Sequence, residues 1–239
     1  MLVFAVGSAA VLFFVEGLHR TKAILVLIFA SLLCSVVLIG FADRLPRQLQ
    51  RSLAFLPIPI EKAVEMDAMG TADWRVRMWS HLLEEVPEYL ILGKGYGIDA
   101  AEFNLLEIAL LNGFIPDYEW AVVSGDYHNG PLSVLVPLGL AGAFCYVMLL
   151  WHGWRFLFRA MKRADPALLT INRAIYAIFV ARVIFFVTVH GSGPYDLMQF
   201  LGLVGISAAI NGVESKSGAA RSPELAAQAA RPAIPVGAI

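Results

Sequence analysis

The chain of 239 residues is 59% hydrophobic and 15% charged, and its formal net charge is -1. Soluble domains are roughly 45–50% apolar and about 25% charged, so this composition excludes an ordinary soluble enzyme and predicts a protein of the lipid bilayer. The balanced charge leaves no basic stripe to neutralise phosphates, which excludes nucleic acid as a partner.

Five apolar runs approach the length of a membrane span, which needs about 20 residues and accepts about 17–25. The sequence therefore predicts an all-α, polytopic transmembrane helix bundle of about five spans. Two spans fall in residues 1–41, a long loop in 42–130, three spans in 131–211 and a tail in 212–239. The five runs are 2–15, 23–41, 131–151, 174–189 and 195–210.

Loop charges predict the orientation of these spans. Short loops rich in Lys and Arg stay in the cytoplasm, and residues 16–22 and 154–173 are two such loops. The 42–130 loop and the short turn 190–194 then lie on the extracytoplasmic side. Residues 212–239 are rich in small and polar residues and in proline, which predicts a disordered cytoplasmic tail.

The 42–130 loop is too long to be only a connector, and its pattern predicts helices. One helix is expected to begin near Thr71 or Asp73, because apolar residues then recur at three- and four-residue steps, and to end near Pro87. The glycines of "ILGKGYGID" predict a turn. Asp99 is expected to cap a second amphipathic helix, "AEFNLLEIALL", at the membrane surface.

The stretch "DYHNGP", residues 126–131, immediately precedes the third apolar run. His128 is therefore expected at the membrane surface, where an imidazole with an ordinary pKa of about 6.5 suits a general base. Asp126 and Asn129 flank it and are candidate supporting residues. The alternative is a histidine that only caps the following helix.

Arg75 and Arg77 are expected near the start of the loop helix, where free N–H groups and the helix dipole favour an anion. A guanidinium group at that point suits a phosphate held through two hydrogen bonds. The alternative is a solvated surface charge. We favour that alternative for Arg77, because it lies off the helix face that carries Trp79.

Arg182 interrupts the fourth apolar run near its midpoint. A charge inside the membrane is a functional candidate, because burying it costs at least about 2.5–3.5 kcal/mol. Asp196 is its expected partner, with a structural pair or a shifted helix boundary as alternatives. His190, in the turn "HGSGP", is expected to face the same site as His128. No metal-ligand spacing such as H-E-x-x-H occurs, so neither a metal nor a cofactor is predicted.

The sequence contains, in this order, the motifs Arg75-x-x-x-Trp79, Pro87, "ILGKGYG", His128-Asn129 and "PLGLAG". Together these motifs resemble the O-antigen ligase family of bacterial membrane proteins. The resemblance implies a multi-span helical enzyme of the bacterial inner membrane whose active face is extracytoplasmic. It implies transfer of a glycan from a polyprenyl-diphosphate carrier to a saccharide or lipid-linked acceptor, or polymerisation of such units, in the synthesis of lipopolysaccharide and other cell-envelope polysaccharides.

The resemblance also implies the roles of individual residues in an inverting, metal-independent transfer among membrane lipids. His128 would take the proton from the acceptor hydroxyl, and Arg75 would hold the diphosphate leaving group. The candidate supporting residues are Asn129, Asp126, Arg77, Trp79, His190 and Arg182.

Two departures from the family concern the beginning of the chain. The family has more spans, and it carries a functional arginine in a Ser-Arg element just before the helix that matches residues 2–15, where this chain begins with Met1. We therefore expect a C-terminal portion that is not active alone. The rival interpretation is a non-catalytic membrane subunit or transporter fragment, in which Arg182 and Asp196 line a path.

Overall fold

The computed structural model describes residues 2–97 and 100–212, leaving aside the side chains of Leu2, Ala100 and Glu102. Within these residues every regular element is a helix, which confirms the all-α prediction. Short 3-10 helices occur at Leu18–Arg20, Ala42–Arg44 and Pro166–Leu168. The α-helices are α1 (Leu2–Val15), α2 (Ala23–Gly40), α3 (Arg47–Leu53), α4 (Lys62–Tyr89), α5 (Ala100–Leu111), α6 (Glu119–Ser124), α7 (Gly130–Arg163), α8 (Leu169–Thr188) and α9 (Gly193–Ile210).

Length and composition make this a helical membrane protein. In the described residues, the helical segments Ala23–Gly40, Gly130–Arg163 and Pro166–Thr188 are long and apolar enough to cross a membrane. The helix α1 is apolar but has only 14 residues, and α9 has 18 residues with Asp196 in its first turn. Three of the five predicted spans thus meet this standard, and the other two stay predictions.

The main core lies where α7, α8 and α9 meet. Tyr146 of α7, Phe186 of α8 and Phe200 of α9 are buried together there. The Phe179 and Phe200 rings meet edge to face with their centroids 5.3 Å apart, an arrangement that contributes about 0.5–1.5 kcal/mol beyond burial. This packing brings the turn between α8 and α9 beside the first turn of α7.

The first two helices differ in how they join this core. The helix α1 packs along α8, with Phe4 edge-on to Phe185 and an ion pair between Glu16 and Arg173 at the far end. By contrast, α2 has no buried residue. An apolar helix that buries none of its residues in the protein requires an apolar surrounding, which a bilayer supplies.

The helix α4 begins earlier than predicted and ends near Pro87, as predicted. It begins at Lys62, and its additional first part, residues 62–70, is rich in good helix formers. The helix α3 fixes this part, because Arg51 pairs with Asp67 at 3.3 Å and donates to the Thr71 hydroxyl at 2.7 Å. It continues through Pro87 to Tyr89. A proline disrupts the hydrogen bonding of the turn that precedes it. Pro87 lies in the last turn of α4, and the helix ends two residues after it.

The helix α7 is kinked at Gly139, whose φ of 65° is left-handed. Pro137 cannot donate a backbone hydrogen bond, and the kink frees further backbone groups. The segment after α4 pairs with these freed groups. The bonds are Lys94 N–H to Val136 O at 2.8 Å, Gly95 N–H to Pro137 O at 2.9 Å, and Leu140 N–H to Leu90 O at 2.8 Å.

Two glycines make this backbone pairing sterically possible. A Cβ on Gly93 would lie 2.2 Å from Pro137 O, and a Cβ on Gly139 would lie 2.4 Å from Ile91 O. Both contacts are far below van der Waals distance. The motifs "ILGKGYG" and "PLGLAG" are therefore two halves of one structural joint, and the first is more than the local turn that was predicted.

The predicted basic loop 154–173 is mostly helical. The helix α7 runs on to Arg163, and α8 already begins at Leu169. Lys162 and Arg163 occupy the last turn of α7, where cations interact favourably with the helix dipole.

The helix α5 forms as expected, but its sides are not divided into polar and apolar. Large apolar side chains at Leu105, Ile108 and Leu111 are exposed, while Phe103 and Leu106 on another side are partly buried. The predicted cap, Asp99, lies outside the described residues, and so does the predicted tail beyond Gly212.

Candidate functional site

His128 lies in the connection between α6 and α7 with a left-handed φ of 51°. Among the described residues it is the only non-glycine residue with a positive φ. Such a conformation costs of the order of 1–3 kcal/mol and persists where surrounding contacts impose it. The backbone at this histidine is therefore held by its neighbours.

Asn129 caps α7. Its side-chain oxygen accepts a hydrogen bond from the Leu132 N–H at 3.1 Å. Asparagine at this position satisfies one of the free N–H groups at a helix start. The alternative role considered for His128, a helix cap, thus belongs to its neighbour.

Tyr127 and Trp79 anchor the histidine loop to α4. The Trp79 indole donates to the Tyr127 carbonyl oxygen at 2.8 Å. The Tyr127 ring is 2% exposed in a cluster with Met78 and Leu82 of α4. Burial, and next the Glu85 carboxylate, raise the pKa of Tyr127 to about 12, so this phenol stays neutral.

His190 meets His128, as the sequence predicted. The two Nδ1 atoms are 3.3 Å apart and the ring centroids 5.0 Å apart. Close backbone approach makes this possible, since a Cβ on Gly191 would lie 2.6 Å from the Gly130 Cα. Ser133 strengthens the joint by donating to the Gly191 carbonyl at 3.2 Å.

The surroundings of His190 keep its ring uncharged. Burial is the largest cause that lowers its pKa, followed by His128, and Arg75 lowers it further. Asp126 and Asp196 act in the opposite direction but do not reverse the shift. A lowered pKa makes His190 a neutral hydrogen-bonding partner near pH 7.

Asp126 stands beside the histidine pair. Its carboxylate Oδ1 is 3.6 Å from Nδ1 of His128, and its side chain is 53% exposed. The carboxylate therefore lies next to the imidazole and is also exposed at the protein surface.

Arg75 lies in the middle of α4, not at a helix start as predicted. The helix N-terminus at Lys62 therefore adds nothing to anion binding at this residue. Its Nε is buried and has no hydrogen-bond partner within residues 2–97 and 100–212. Because Arg75 lowers the pKa of His190, its charge acts on that histidine. Arg77 is exposed, which agrees with the surface role favoured for it.

Arg182 forms an ion pair with Asp196, the predicted partner, at 2.5 Å. Asp196 is 1% exposed, and its second oxygen accepts from the Ser192 N–H at 2.8 Å. The guanidinium also lies over the Phe4 and Phe185 rings. Arg182 is thus a bridge between α8, α9 and the turn that carries His190, and it lies outside the histidine pair itself.

Sequence reasoning missed Trp74, whose ring centroid is 5.7 Å from that of His128. Its position four residues before Met78, on the buried face of α4, was an available signal. It also missed Gly191, because nothing in a short turn indicates which backbone it approaches. In the described residues, no group of three or more His, Cys, Asp or Glu side chains is placed to hold a metal ion.

The fold and the site define a polytopic helical membrane protein in which His128 and His190 meet beside α4, the helix that carries Arg75. The chain belongs to the O-antigen ligase family: the family model described as O-antigen ligase matches residues 1–147. The match includes Arg75 and His128 and ends before His190. No curated protein and no solved structure matches the chain.

Membership in this family confirms the predicted resemblance. It supports a ligase- or polymerase-like enzyme, a membrane location, and lipid-linked glycans as the class of substrate.

Proposed function

We propose that this protein transfers a glycan from a polyprenyl-diphosphate carrier to an acceptor hydroxyl at the extracytoplasmic face of the bacterial inner membrane. The transfer inverts the anomeric carbon and uses side chains in place of a metal. One observation carries the proposal: His128, in a left-handed conformation, contacts His190 at 3.3 Å within the field of the Arg75 guanidinium.

His128 acts as the general base. It takes the proton of the acceptor hydroxyl as the acceptor oxygen bonds to the anomeric carbon. A base placed at the reacting hydroxyl contributes about 10²–10⁴-fold to such a rate. The left-handed backbone supports this role, since strain of this kind gathers at functional sites.

Arg75 holds the leaving group. As the bond between the anomeric carbon and the diphosphate breaks, the electron pair goes to the diphosphate oxygen. A guanidinium group stabilises that charge through paired hydrogen bonds. The buried Nε of Arg75 has no partner in the described part of the chain, so no described residue uses this donor.

The other candidate residues support this pair in different ways. Trp79 and Asn129 fix the loop and the helix start on either side of His128. Asp126 lies beside the imidazole. Arg77 is exposed, and we assign it no part in the transfer.

A ligase and a polymerase share this chemistry and differ in the acceptor. The rival transporter or non-catalytic subunit needs Arg182 to face a polar path, but Asp196 and two phenylalanine rings surround it. No observation therefore favours the rival over glycan transfer.

The decisive experiment measures glycan transfer in membranes that contain the protein expressed from its native gene, so that any upstream coding sequence is retained. Radiolabelled polyprenyl-diphosphate glycans of the same cells serve as donors. His128→Ala and Arg75→Ala should each abolish most transfer, and Arg77→Ala, matched to Arg75 in type and helix, should retain it. Full activity of His128→Ala would rule out the base, and an inert wild type on all donors would rule out the proposed function.

A further inference from the structure

His128 has two ring nitrogens, and only one of them has a partner in the described part of the chain. Nδ1 faces His190 at 3.3 Å and Asp126 at 3.6 Å. Nε2 makes no hydrogen bond or ion pair with a described residue. In a neutral imidazole, one nitrogen carries the proton and the other offers a lone pair. The environment of Nδ1 therefore decides whether Nε2 can act as a base.

A proton on Nδ1 of His128 suits both neighbours of that atom. The Asp126 carboxylate is an acceptor only and would repel a lone pair on Nδ1. His190 can accept this hydrogen bond because its lowered pKa keeps the ring neutral near pH 7. The titratable and charged groups that act on it are His128, Asp126, Arg75 of α4 and Asp196 of α9.

We propose that His190 is a positioning residue: its Nδ1 accepts a hydrogen bond from Nδ1–H of His128, which leaves the Nε2 lone pair of His128 free for the acceptor hydroxyl. This role rests on the proposed function. When the acceptor proton moves to Nε2, Nδ1 keeps its own proton and His128 becomes a cation. Its Nδ1–H then bonds to His190 and faces Asp126, both of which stabilise that charge.

The structure holds His190 in place for this contact. Gly191 lies against Gly130 at the start of α7, where a side chain would not fit. On the other side, Asp196 accepts from Ser192 N–H and is fixed by Arg182. The turn between α8 and α9 is thus fixed at Gly191 and Ser192, the two residues that follow His190. The buried ion pair between Arg182 and Asp196 thus helps to fix the position of His190.

The tautomer of His128 is measurable without a substrate. Protein with ¹⁵N-labelled histidine is studied in detergent by NMR near neutral pH, and the His128 signals are assigned by their loss in His128→Gln. We expect a protonated Nδ1 and an unprotonated Nε2 in the wild type, and a shift of the proton towards Nε2 in His190→Ala. A wild-type His128 with its proton on Nε2 overturns the proposal.

Kinetics provide the second test, in membranes with the native gene. Loss of the base itself is expected to lower kcat by about 10²–10⁴-fold. His190→Ala should lower kcat by less than that and leave the KM for the donor unchanged. His190→Gln should recover part of the rate, because its amide oxygen can also accept from Nδ1–H. The control is His152→Ala, an exposed histidine on α7, which should match the wild type.

The outcomes separate this role from the proposed function. Wild-type transfer by His190→Ala together with loss of transfer in His128→Ala would overturn the positioning role and leave the base in place. Equal loss in His190→Ala and His190→Gln, with an unchanged His128 tautomer, would make His190 merely structural. If the wild type transfers nothing, the proposed function fails, and the NMR result still decides whether the hydrogen bond exists.

Discussion

The indole of Trp79 donates a hydrogen bond to the backbone carbonyl of Tyr127, 2.8 Å away, and so joins the middle of α4 to the residue before His128. The two residues are 48 positions apart in the chain. This contact connects the two motifs of the family resemblance that lie farthest from each other in the long loop. It fixes the histidine loop to the same helix that carries Arg75.

Trp79→Phe tests the importance of that bond. The change keeps an aromatic ring but leaves the Tyr127 carbonyl without its donor, which costs about 1–3 kcal/mol where a carbonyl is buried. We expect a lower thermal midpoint in detergent and weaker glycan transfer. Trp120→Phe, at an exposed tryptophan on α6, is the matched control and should lose neither. Identical behaviour of the two variants would contradict the anchoring role.

Arg75→Lys distinguishes a paired hydrogen-bond donor from a simple positive charge. Lysine keeps the charge but not the planar fork that fits two phosphate oxygens. We expect transfer to fall by about 10²-fold or more, the range seen when one donor to a developing charge is removed. The same assay on Arg77→Lys should show no loss. If Arg75→Lys transfers at the wild-type rate, two-point contact with the diphosphate is wrong.

Gly93→Ala and Gly139→Ala test the joint between the loop and the kink of α7. Each added methyl would meet backbone atoms at 2.2–2.4 Å, and each position has a left-handed φ. We expect little folded protein from either variant, judged by size-exclusion chromatography in detergent. Gly70→Ala and Gly202→Ala are the controls, because both sit in helices with open space around them. These two should be as stable as the wild type or more so, since alanine favours a helix by roughly 0.5–1 kcal/mol over glycine.

The helices could mostly be predicted from the sequence, but the joint between the loop and the kink of α7 could not. Apolar runs and helix periodicity predicted the elements, because both depend on residues close together in the chain. The pairing of Gly93 with Gly139 joins distant backbones, and no local pattern specifies a backbone partner. The mid-helix position of Arg75 was missed for a related reason: α3 extends α4 through contacts to Asp67 and Thr71.

The site was predictable only as far as it follows from the direction of the spans and from local charge. His128 and His190 were expected to converge because His128 precedes one apolar run and His190 follows another. Since those two spans run in opposite directions, both histidines were expected at the extracytoplasmic end. Their Nδ1 contact depends on Gly191 approaching Gly130, which a sequence cannot indicate. Arg182 and Asp196 were paired from burial and charge, and the contact is present.

The unfolding of the protein should depend on pH through His190. Burial and His128 lower its pKa in the folded state below the ordinary value of about 6.5. Between these two pKa values the unfolded chain binds more protons than the folded one, so the free energy of unfolding falls as pH drops below about 6.5. In His190→Gln this part of the loss should disappear, as measured by thermal midpoints in detergent between about pH 7.5 and about pH 5. Equal pH dependence in the two proteins would show that His190 is not the responsible group.

Arg182 and Asp196 can be tested as a pair. Arg182→Met leaves a buried carboxylate without its cation, and Asp196→Asn leaves the guanidinium without its anion; breaking a buried pair costs about 3–5 kcal/mol. The double variant leaves no isolated charge, so it should be more stable than either single variant when unfolding midpoints are compared. If the pair only locates the His190 turn, the double variant should also recover part of the glycan transfer. Additive loss across the three variants would mean that the two side chains act independently, which their 2.5 Å contact argues against.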